Sequence, residues 1–130
     1  MIEIKGDLRM TVPELLFDPT LNGFDCLALH LLANKSIIDS DLDTRRELRK
    51  NIILSGGTTM YEGLAARLQK EIVAISPAGA EVKIIAGHDR KFSVWKGAST
   101  LASLSTFEAS WITKEEYDDH GVSIVHRKCP

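Results

Sequence analysis

The residues whose types and spacing best suit binding chemistry lie between Asn51 and Tyr61, in the run N-I-I-L-S-G-G-T-T-M-Y. Its first half is apolar and reads as a short buried strand. Gly56 and Gly57 allow a sharp turn and the close approach of a ligand to the backbone. Thr58 or Thr59 is expected to cap the helix that follows. Because free backbone N–H groups lie at a helix N-terminus, this turn is a place where a nucleotide can sit. The spacing alone also fits a turn that merely connects a strand to a helix.

The elements around this turn predict one βαβ unit. A helix is expected over residues 61–75, with one apolar face formed by Leu64, Ala65, Leu68, Ile72 and Ile75. Pro77 and Gly79 mark a loop, and residues 82–86 read as a second apolar strand. Strand, helix and strand from 51 to 86 then form a right-handed crossover with parallel strands.

The flanking segments are expected to be mixed. We predict a β-hairpin of residues 2–5 and 8–12 around a Gly6-Asp7 turn. Six helices are expected on either side of the βαβ unit, and Gly121 should end the last of them. Their expected ranges are 13–17 (ended by Pro19), a buried helix over 24–33 with Leu27, Ala28, Leu31 and Leu32 inward, a helix capped by Asp41 or Asp43 and running to Lys50, and short helices near 98–104, 107–111 and 114–119.

Composition is that of an ordinary globular domain, with 44% hydrophobic and 26% charged residues. With 130 residues there is room for one core, and a formal charge of -2 argues against nucleic acid as a partner. No apolar run approaches the ~20 residues that a membrane-spanning helix needs. Cys26 and Cys129 have no metal-ligand spacing and are interpreted as free thiols of a reducing compartment, although a single disulfide between them stays open.

Residue identities carry more information than spacing. The turn Ser55–Tyr61 (S-G-G-T-T-M-Y) resembles the adenosine-contacting loop of the actin family, and the segment K-F-S-V-W at Lys91 resembles the actin segment with a lysine near the adenine. Five further segments resemble actin in the same order, so the similarity covers nearly all of the chain. They are Pro13–Phe17, Asp41–Arg46, Leu101–Phe107, Trp111–Tyr117 and Ser123–Cys129.

The resemblance implies an α/β fold, that of the actin, sugar-kinase and chaperone ATPases (ribonuclease H-like), with the N-terminal two-thirds of the family's fold lacking. It divides the chain into 1–24 (the end of one lobe subdomain), 25–92 (the adenosine-side subdomain) and 93–130 (part of the neighbouring subdomain). The family's phosphate loops and metal-coordinating aspartate have no counterpart in this sequence. A fragment of a longer product, a mispredicted gene model and a truly short actin-like protein are all compatible with this pattern.

For the site, the resemblance assigns adenosine contact to six residues: Gly56, Gly57, Thr58, Met60, Tyr61 and Lys91. The cofactor implied for a complete family member is ATP or ADP with Mg²⁺, none of which should bind tightly to this chain alone. The family also has a hydrophobic groove for regulatory proteins, to which Leu101, Leu104 and Thr106 correspond. Lys96 stands where actins have an apolar residue, which should weaken binding of those regulators because burying an ammonium group costs free energy.

The leading hypothesis is therefore a cytoplasmic, cytoskeletal, ATP-binding protein that forms filaments with actin-like protomers when complete. This chain is expected to have no catalytic residues of its own. One alternative is a piece of a phosphotransferase of the same superfamily. Another is a short module that binds actin regulators without polymerising.

Overall fold

The computed structural model describes residues 6–129. It divides into two compact units, Met1–Lys91 and Phe92–Pro130. The first unit contains α1 (Gly6–Glu14), α2 (Leu29–Asp39), α3 (Arg45–Lys50), β1 (Ile52–Ile53), α4 (Leu64–Ile75) and β2 (Ile84–Ile85). The second contains α5 (Ser93–Ala102), α6 (Lys114–His120) and α7 (Val125–Lys128). Short 3-10 helices connect them at Pro19–Asn22, Gly57–Met60, Arg90–Phe92, Ser105–Ser110 and Gly121–Ile124.

The predicted βαβ unit is present. Strands β1 and β2 pair in parallel, with Ile52 opposite Ile84 and Ile53 opposite Ile85, and α4 lies between them in sequence. The described residues are otherwise mostly helical, so the α/β prediction is confirmed in this unit, while the full α/β fold is not seen in residues 6–129.

The core of the first unit forms around α4. Leu64, Leu68 and Ile72 of α4 are buried together with Leu54 after β1 and Val82 before β2. Spacings of four residues place these α4 side chains on one stripe of the helix, as predicted. Ala65 packs against the same cluster, whereas Ile75 is exposed because it lies in the last turn, past the buried stripe.

The predicted hairpin is wrong for its second strand. Residues 8–12 lie inside α1, and residues 2–5 lie outside the described part of the chain. Asp7 accepts a hydrogen bond from the Leu8 amide (3.0 Å) and, through its carbonyl, from the Thr11 hydroxyl (2.9 Å). Such local bonds favour a helical start. Leu8, Met10 and Val12 are all exposed, so no sheet face selects their alternating pattern.

The helix predicted over 13–17 is also wrong. Pro13 lies inside α1, which ends at Glu14. Pro19 does not end a helix but begins the 3-10 helix Pro19–Asn22, since proline lacks only an N–H that is unpaired at a first position anyway. Asp18 caps this 3-10 helix by accepting the Thr20 amide at 3.2 Å.

Helix α2 begins at Leu29 rather than at residue 24, and its buried face differs from the prediction. Ala28 is buried, but Leu27, Leu31 and Leu32 are exposed. The inward stripe is instead Leu29, Ala33 and Ile37: the first two pack against the core and Ile37 is buried. These side chains are spaced four residues apart and so share one face of α2, the helix that packs against α4. Packing therefore decides which of the two apolar stripes of α2 points inward.

Two predicted helix caps are replaced by other residues. The N-cap of α3 is Thr44, not Asp41 or Asp43, because Asp41 uses its carbonyl to accept the Thr44 amide (3.0 Å) and hydroxyl (2.8 Å). The N-cap of α4 is Gly63, in the left-handed region at φ 79°, so neither Thr58 nor Thr59 caps that helix.

The second unit follows the predicted order with shifted boundaries. α5 begins five residues before the predicted start at 98, and a 3-10 helix covers Ser105–Ser110. A capping box begins α6: Thr113 accepts the Glu116 amide at 3.2 Å, and Glu116 accepts the Thr113 amide at 2.9 Å. Gly121 ends α6 as predicted, donating its amide to the Tyr117 carbonyl.

Candidate adenosine-side turn

The candidate site is the turn at the carboxyl end of β1. Leu54 continues the ladder by donating its amide to the Ile85 carbonyl at 2.9 Å. The chain then turns at Gly56, whose φ of 95° is a conformation that side chains with a Cβ rarely adopt. Gly57–Met60 forms a single 3-10 helix directly after it. In open α/β sheets, ligands bind beyond the carboxyl ends of parallel strands, and this turn occupies that position.

The turn is held by bonds within it and by one arginine. Thr59 donates its hydroxyl to the Gly56 carbonyl at 2.7 Å and its amide to the same oxygen at 3.2 Å. The Arg90 guanidinium donates to the Thr59 carbonyl through Nε (3.0 Å) and Nη2 (2.7 Å), and to the Gly87 carbonyl through Nη1 (3.0 Å). In return, the Gly56 amide donates to the Arg90 carbonyl at 3.0 Å. The backbone from Gly56 to Thr59 is thus fixed to the segment that carries Lys91.

Sequence reasoning did not identify Arg90 as part of the site. One indication was available in the sequence, which is that Arg90 directly precedes Lys91. Its partner Thr59 lies 31 residues earlier in the chain, on the other side of the α4 crossover. An arginine has five donors in a fixed plane and suits the capture of several carbonyl oxygens at once. Arg90 orients the turn and has no predicted contact with a ligand, so it is a positioning residue.

The predicted site residues on this turn are accessible. Gly57, Thr58, Met60, Tyr61 and Lys91 are exposed, and Gly56 is half-buried. A Cβ built on Gly57 would meet nothing within 4 Å, so the bare backbone there faces open space. Met60 and Tyr61 therefore add a thioether and an aromatic ring to an open backbone edge, a combination that suits a flat apolar ligand.

Tyr61 also lies beside α1. It lines a surface cavity of about 370 Å³ together with Leu8, Arg9, Val12 and Pro13. A second, shallower depression of about 210 Å³ joins Tyr61 to Arg67 and to the end of α1. The other five predicted site residues line neither depression. Gly56, Gly57, Thr58 and Met60 lie on the same turn as Tyr61, whereas Lys91 lies in the 3-10 helix Arg90–Phe92.

Arg67 stabilises this region by joining three segments. It donates to Glu14 at the end of α1 through Nη1 (3.1 Å) and Nη2 (2.8 Å) and to Glu71 one turn later through Nε (2.7 Å). Its guanidinium also lies 4.7 Å from the ring centroid of Phe17. The hydrogen bonds that Arg67 donates to Glu14 and then to Glu71 raise the pKa of Arg67, and the bond from Arg67 lowers the pKa of Glu71.

The predicted groove residues lie in the second unit. Leu101 is in the last turn of α5, Leu104 precedes the following 3-10 helix, and Thr106 lies within it. All three are exposed, at 53% for Leu101 and 48% for Leu104. Lys96, the predicted departure, lines a cavity of about 430 Å³ with Phe92 and Trp95.

Three other features of the described residues concern metal ions, cysteines and membrane-spanning helices. Among residues 6–129, no group of three or more His, Cys, Asp or Glu side chains is arranged to hold a metal ion. Cys26 and Cys129 are free, as predicted, and both are exposed. No helix within 6–129 has both the length and the apolar character that crossing a membrane requires.

A comparison with family models now bears on these observations. The model of the actin family, described as Actin, matches residues 3–130. This match implies the actin-like ATPase fold, of which the described residues show the parallel βαβ unit. Because the match extends over nearly the entire sequence, the chain belongs to the actin family.

Proposed function

We propose that this chain provides the adenosine side of the nucleotide site in an actin-like, cytoskeletal ATP-binding protein of the cytoplasm. Gly56, Gly57, Thr58, Met60, Tyr61 and Lys91 would contact the nucleoside. The phosphates and Mg²⁺ would be held by the family's phosphate loops, which have no counterpart in this sequence. Assembly with actin-like protomers into filaments belongs to the same proposal.

The observation that carries the proposal is the state of the turn at 56–61. It stands at the carboxyl end of a parallel strand, with an open backbone edge at Gly57 and an exposed ring at Tyr61. Arg90 restrains the turn through its two hydrogen bonds to the Thr59 carbonyl, which lowers the ordering cost of binding.

The experiment uses a chimera in which this segment replaces the matching residues of an actin, so that phosphate loops are present. A fluorescent ATP analogue is titrated into the chimera and into its Tyr61→Ala variant. Loss of a base-facing ring should weaken binding by roughly 1–3 kcal/mol, about 5- to 150-fold. Gly57→Val should weaken it at least as much, because the branched side chain would occupy the space through which the nucleoside approaches.

Matched controls separate binding from folding. Tyr117→Ala removes a ring of similar exposure, 49% against 45% for Tyr61, from the second unit and should leave affinity unchanged. Gly97→Val changes a glycine of α5 whose Cβ would also meet open space. Unchanged affinity in both Tyr61→Ala and Gly57→Val would show that residues 56–61 form a structural turn and would refute the proposal.

The exposed apolar side chains of the second unit favour a second role, docking of an amphipathic helix from a regulatory protein at Leu101, Leu104 and Thr106. A substitution of Lys96, which lines a cavity of the second unit, tests this second role. Lys96→Ile should strengthen binding of such a helix, measured by fluorescence anisotropy of a labelled peptide, because an ammonium group no longer has to be desolvated. Equal affinity of wild type and Lys96→Ile for the peptide would argue against a groove that includes this cavity.

A further inference from the structure

A buried arginine in the first unit lacks the partners that a buried charge requires. Arg49, in the last turn of α3, is 9% exposed. Its Nε is buried and has no hydrogen-bond acceptor among residues 6–129. Its Nη1 has a single long contact, 3.5 Å from the carbonyl of Arg45. No carboxylate of the described chain forms an ion pair with it.

This arrangement costs free energy as it stands. A buried charge is normally paired and hydrogen-bonded, because removing it from water is expensive. The negative end of the α3 dipole interacts favourably with basic side chains in the last turn, yet it supplies no acceptor for Nε. The Arg49 carbonyl accepts the Lys83 amide at 3.0 Å, which fixes α3 to the chain entering β2. The backbone therefore cannot easily shift to bring the Arg49 side chain into solvent.

Arg49 lines a surface cavity of about 390 Å³ between α3 and the loop from Pro77 to Glu81. Arg46 and Lys50 line the same cavity, and spacings of three and four residues put these basic side chains on one face of α3. The acidic lining residue is Glu81, whose carboxylate is 2.9 Å from Lys50 Nζ. The lining thus has three basic side chains against one carboxylate, an excess of two positive charges.

The positive charges of the cavity stabilise the ionised form of Glu81. The hydrogen bond from Lys50 lowers the pKa of Glu81, and the charges of Arg46 and Lys83 add to the effect. The one carboxylate of the lining is therefore paired with Lys50 and not with Arg49.

The cavity lies at the opposite end of the sheet from the adenosine-side turn. Lys50 precedes β1, and Glu81 precedes β2, so the cavity stands at the amino ends of two parallel strands. The turn at 56–61 follows the carboxyl end of β1. No residue of the turn at 56–61 lines the cavity, so anion binding in the cavity would be independent of nucleotide binding at the turn.

We propose that this cavity binds a small phosphate-class dianion, either free phosphate or the phosphate group of a small ester, with Arg49, Arg46 and Lys50 as its donors. A guanidinium presents paired donors that match phosphate oxygens, and a dianion balances the excess of two positive charges. The cavity volume is about 390 Å³, well above the ~30 Å³ share of one water molecule, so part of an organic group also fits.

The first test is thermal. The midpoint of unfolding, or the onset of light scattering if unfolding is irreversible, is measured for the 130-residue chain in phosphate and in chloride at matched ionic strength. Phosphate should raise the midpoint of the wild type by more than that of Arg49→Met, because its general salting-out effect stabilises both proteins alike, whereas a bound ligand stabilises only the state that binds it. In chloride, Arg49→Met should be at least as stable as wild type, since it removes an unpaired buried charge and keeps the length of the side chain.

The second test is calorimetric titration of inorganic phosphate and of glycerol phosphate. Arg49→Met should weaken binding by about tenfold or more, the loss expected for hydrogen bonds to a charged group. Arg46→Gln, which changes an exposed residue, provides a reduced-affinity variant if Arg49→Met fails to fold. Lys35→Met is the control, because Lys35 is exposed and paired with Asp39 at 2.7 Å.

The outcomes distinguish the sources of the ligand. Equal binding of the two anions supports a site for the phosphate group itself, and tighter binding of the ester supports contact with its organic part. No binding of either anion to wild type, or equal binding to wild type, Arg49→Met and Arg46→Gln, would overturn the proposal.

Discussion

Removing the Arg90 guanidinium should loosen the turn at 56–60 without unfolding the core. In Arg90→Met, the Thr59 carbonyl loses two donors at 3.0 and 2.7 Å, and the Gly87 carbonyl loses one at 3.0 Å. The two bonds to Thr59 share one acceptor and are part-buried, so together they count as one strong charged bond of roughly 1.5–3 kcal/mol. The exposed bond to Gly87 adds about 0.5–1 kcal/mol.

The sum makes local opening of the turn easier by about 2–4 kcal/mol, or about 30- to 1,000-fold. Hydrogen exchange followed by NMR measures this directly at the Gly56 amide, which bonds to the Arg90 carbonyl, and at the Thr59 amide. Both amides should exchange faster by that factor in the variant. The Ile72 amide, in the middle of α4, should keep its wild-type rate if the core remains folded.

The control is Arg45→Met, which removes a comparable bond from Nε to the Ser40 carbonyl (2.9 Å) in another part of the first unit. It should leave Gly56 and Thr59 unaffected. If exchange at these two amides is the same in wild type and Arg90→Met, the arginine does not hold the turn, and the preorganisation argument for the nucleoside site fails.

Three further results are expected. Leu68→Ala should cost about 2–5 kcal/mol of unfolding free energy in a urea titration, whereas exposed Leu101→Ala should cost well under ~1 kcal/mol; similar losses would mean that α4 is not the core. Glu116 has a lowered pKa because Lys128 donates a hydrogen bond to it at 2.7 Å. The stabilisation that this pair contributes is therefore present above the ordinary carboxyl pKa of about 4.3 and is lost as pH falls through the lowered pKa of Glu116. Urea unfolding followed by Trp111 fluorescence at several pH values should show this loss in wild type and a flatter pH profile in Glu116→Gln. The 130-residue chain alone should release no phosphate from ATP in a steady-state assay, and activity that survives repurification would contradict the assignment of catalysis to other parts of the family's fold.

The sequence by itself determined the βαβ unit and the position of the candidate turn. The apolar runs on either side of α4 and the four-residue spacing of Leu64, Leu68 and Ile72 are strong local signals, since burial of these side chains dominates the energetics. The residues S-G-G-T-T-M-Y, together with the further segments that resemble actin in the same order, sufficed to recognise the family. Capping of α6 by Thr113 and its end at Gly121 need only neighbouring residues, which is why such signals are readable along the chain.

Tertiary structure decided which of several local options was used. Two apolar stripes compete on α2, and contact with α4 selected Leu29, Ala33 and Ile37. The alternation at 8–12 fits a strand, yet Asp7 starts a helix there because no sheet covers those side chains. The hydrogen bonds from Arg90 to Thr59, and the cavity that Arg49 lines together with the loop at 77–81, bring together residues about thirty positions apart in sequence. Such contacts depend on how the crossover closes, and no local pattern in the sequence encodes them.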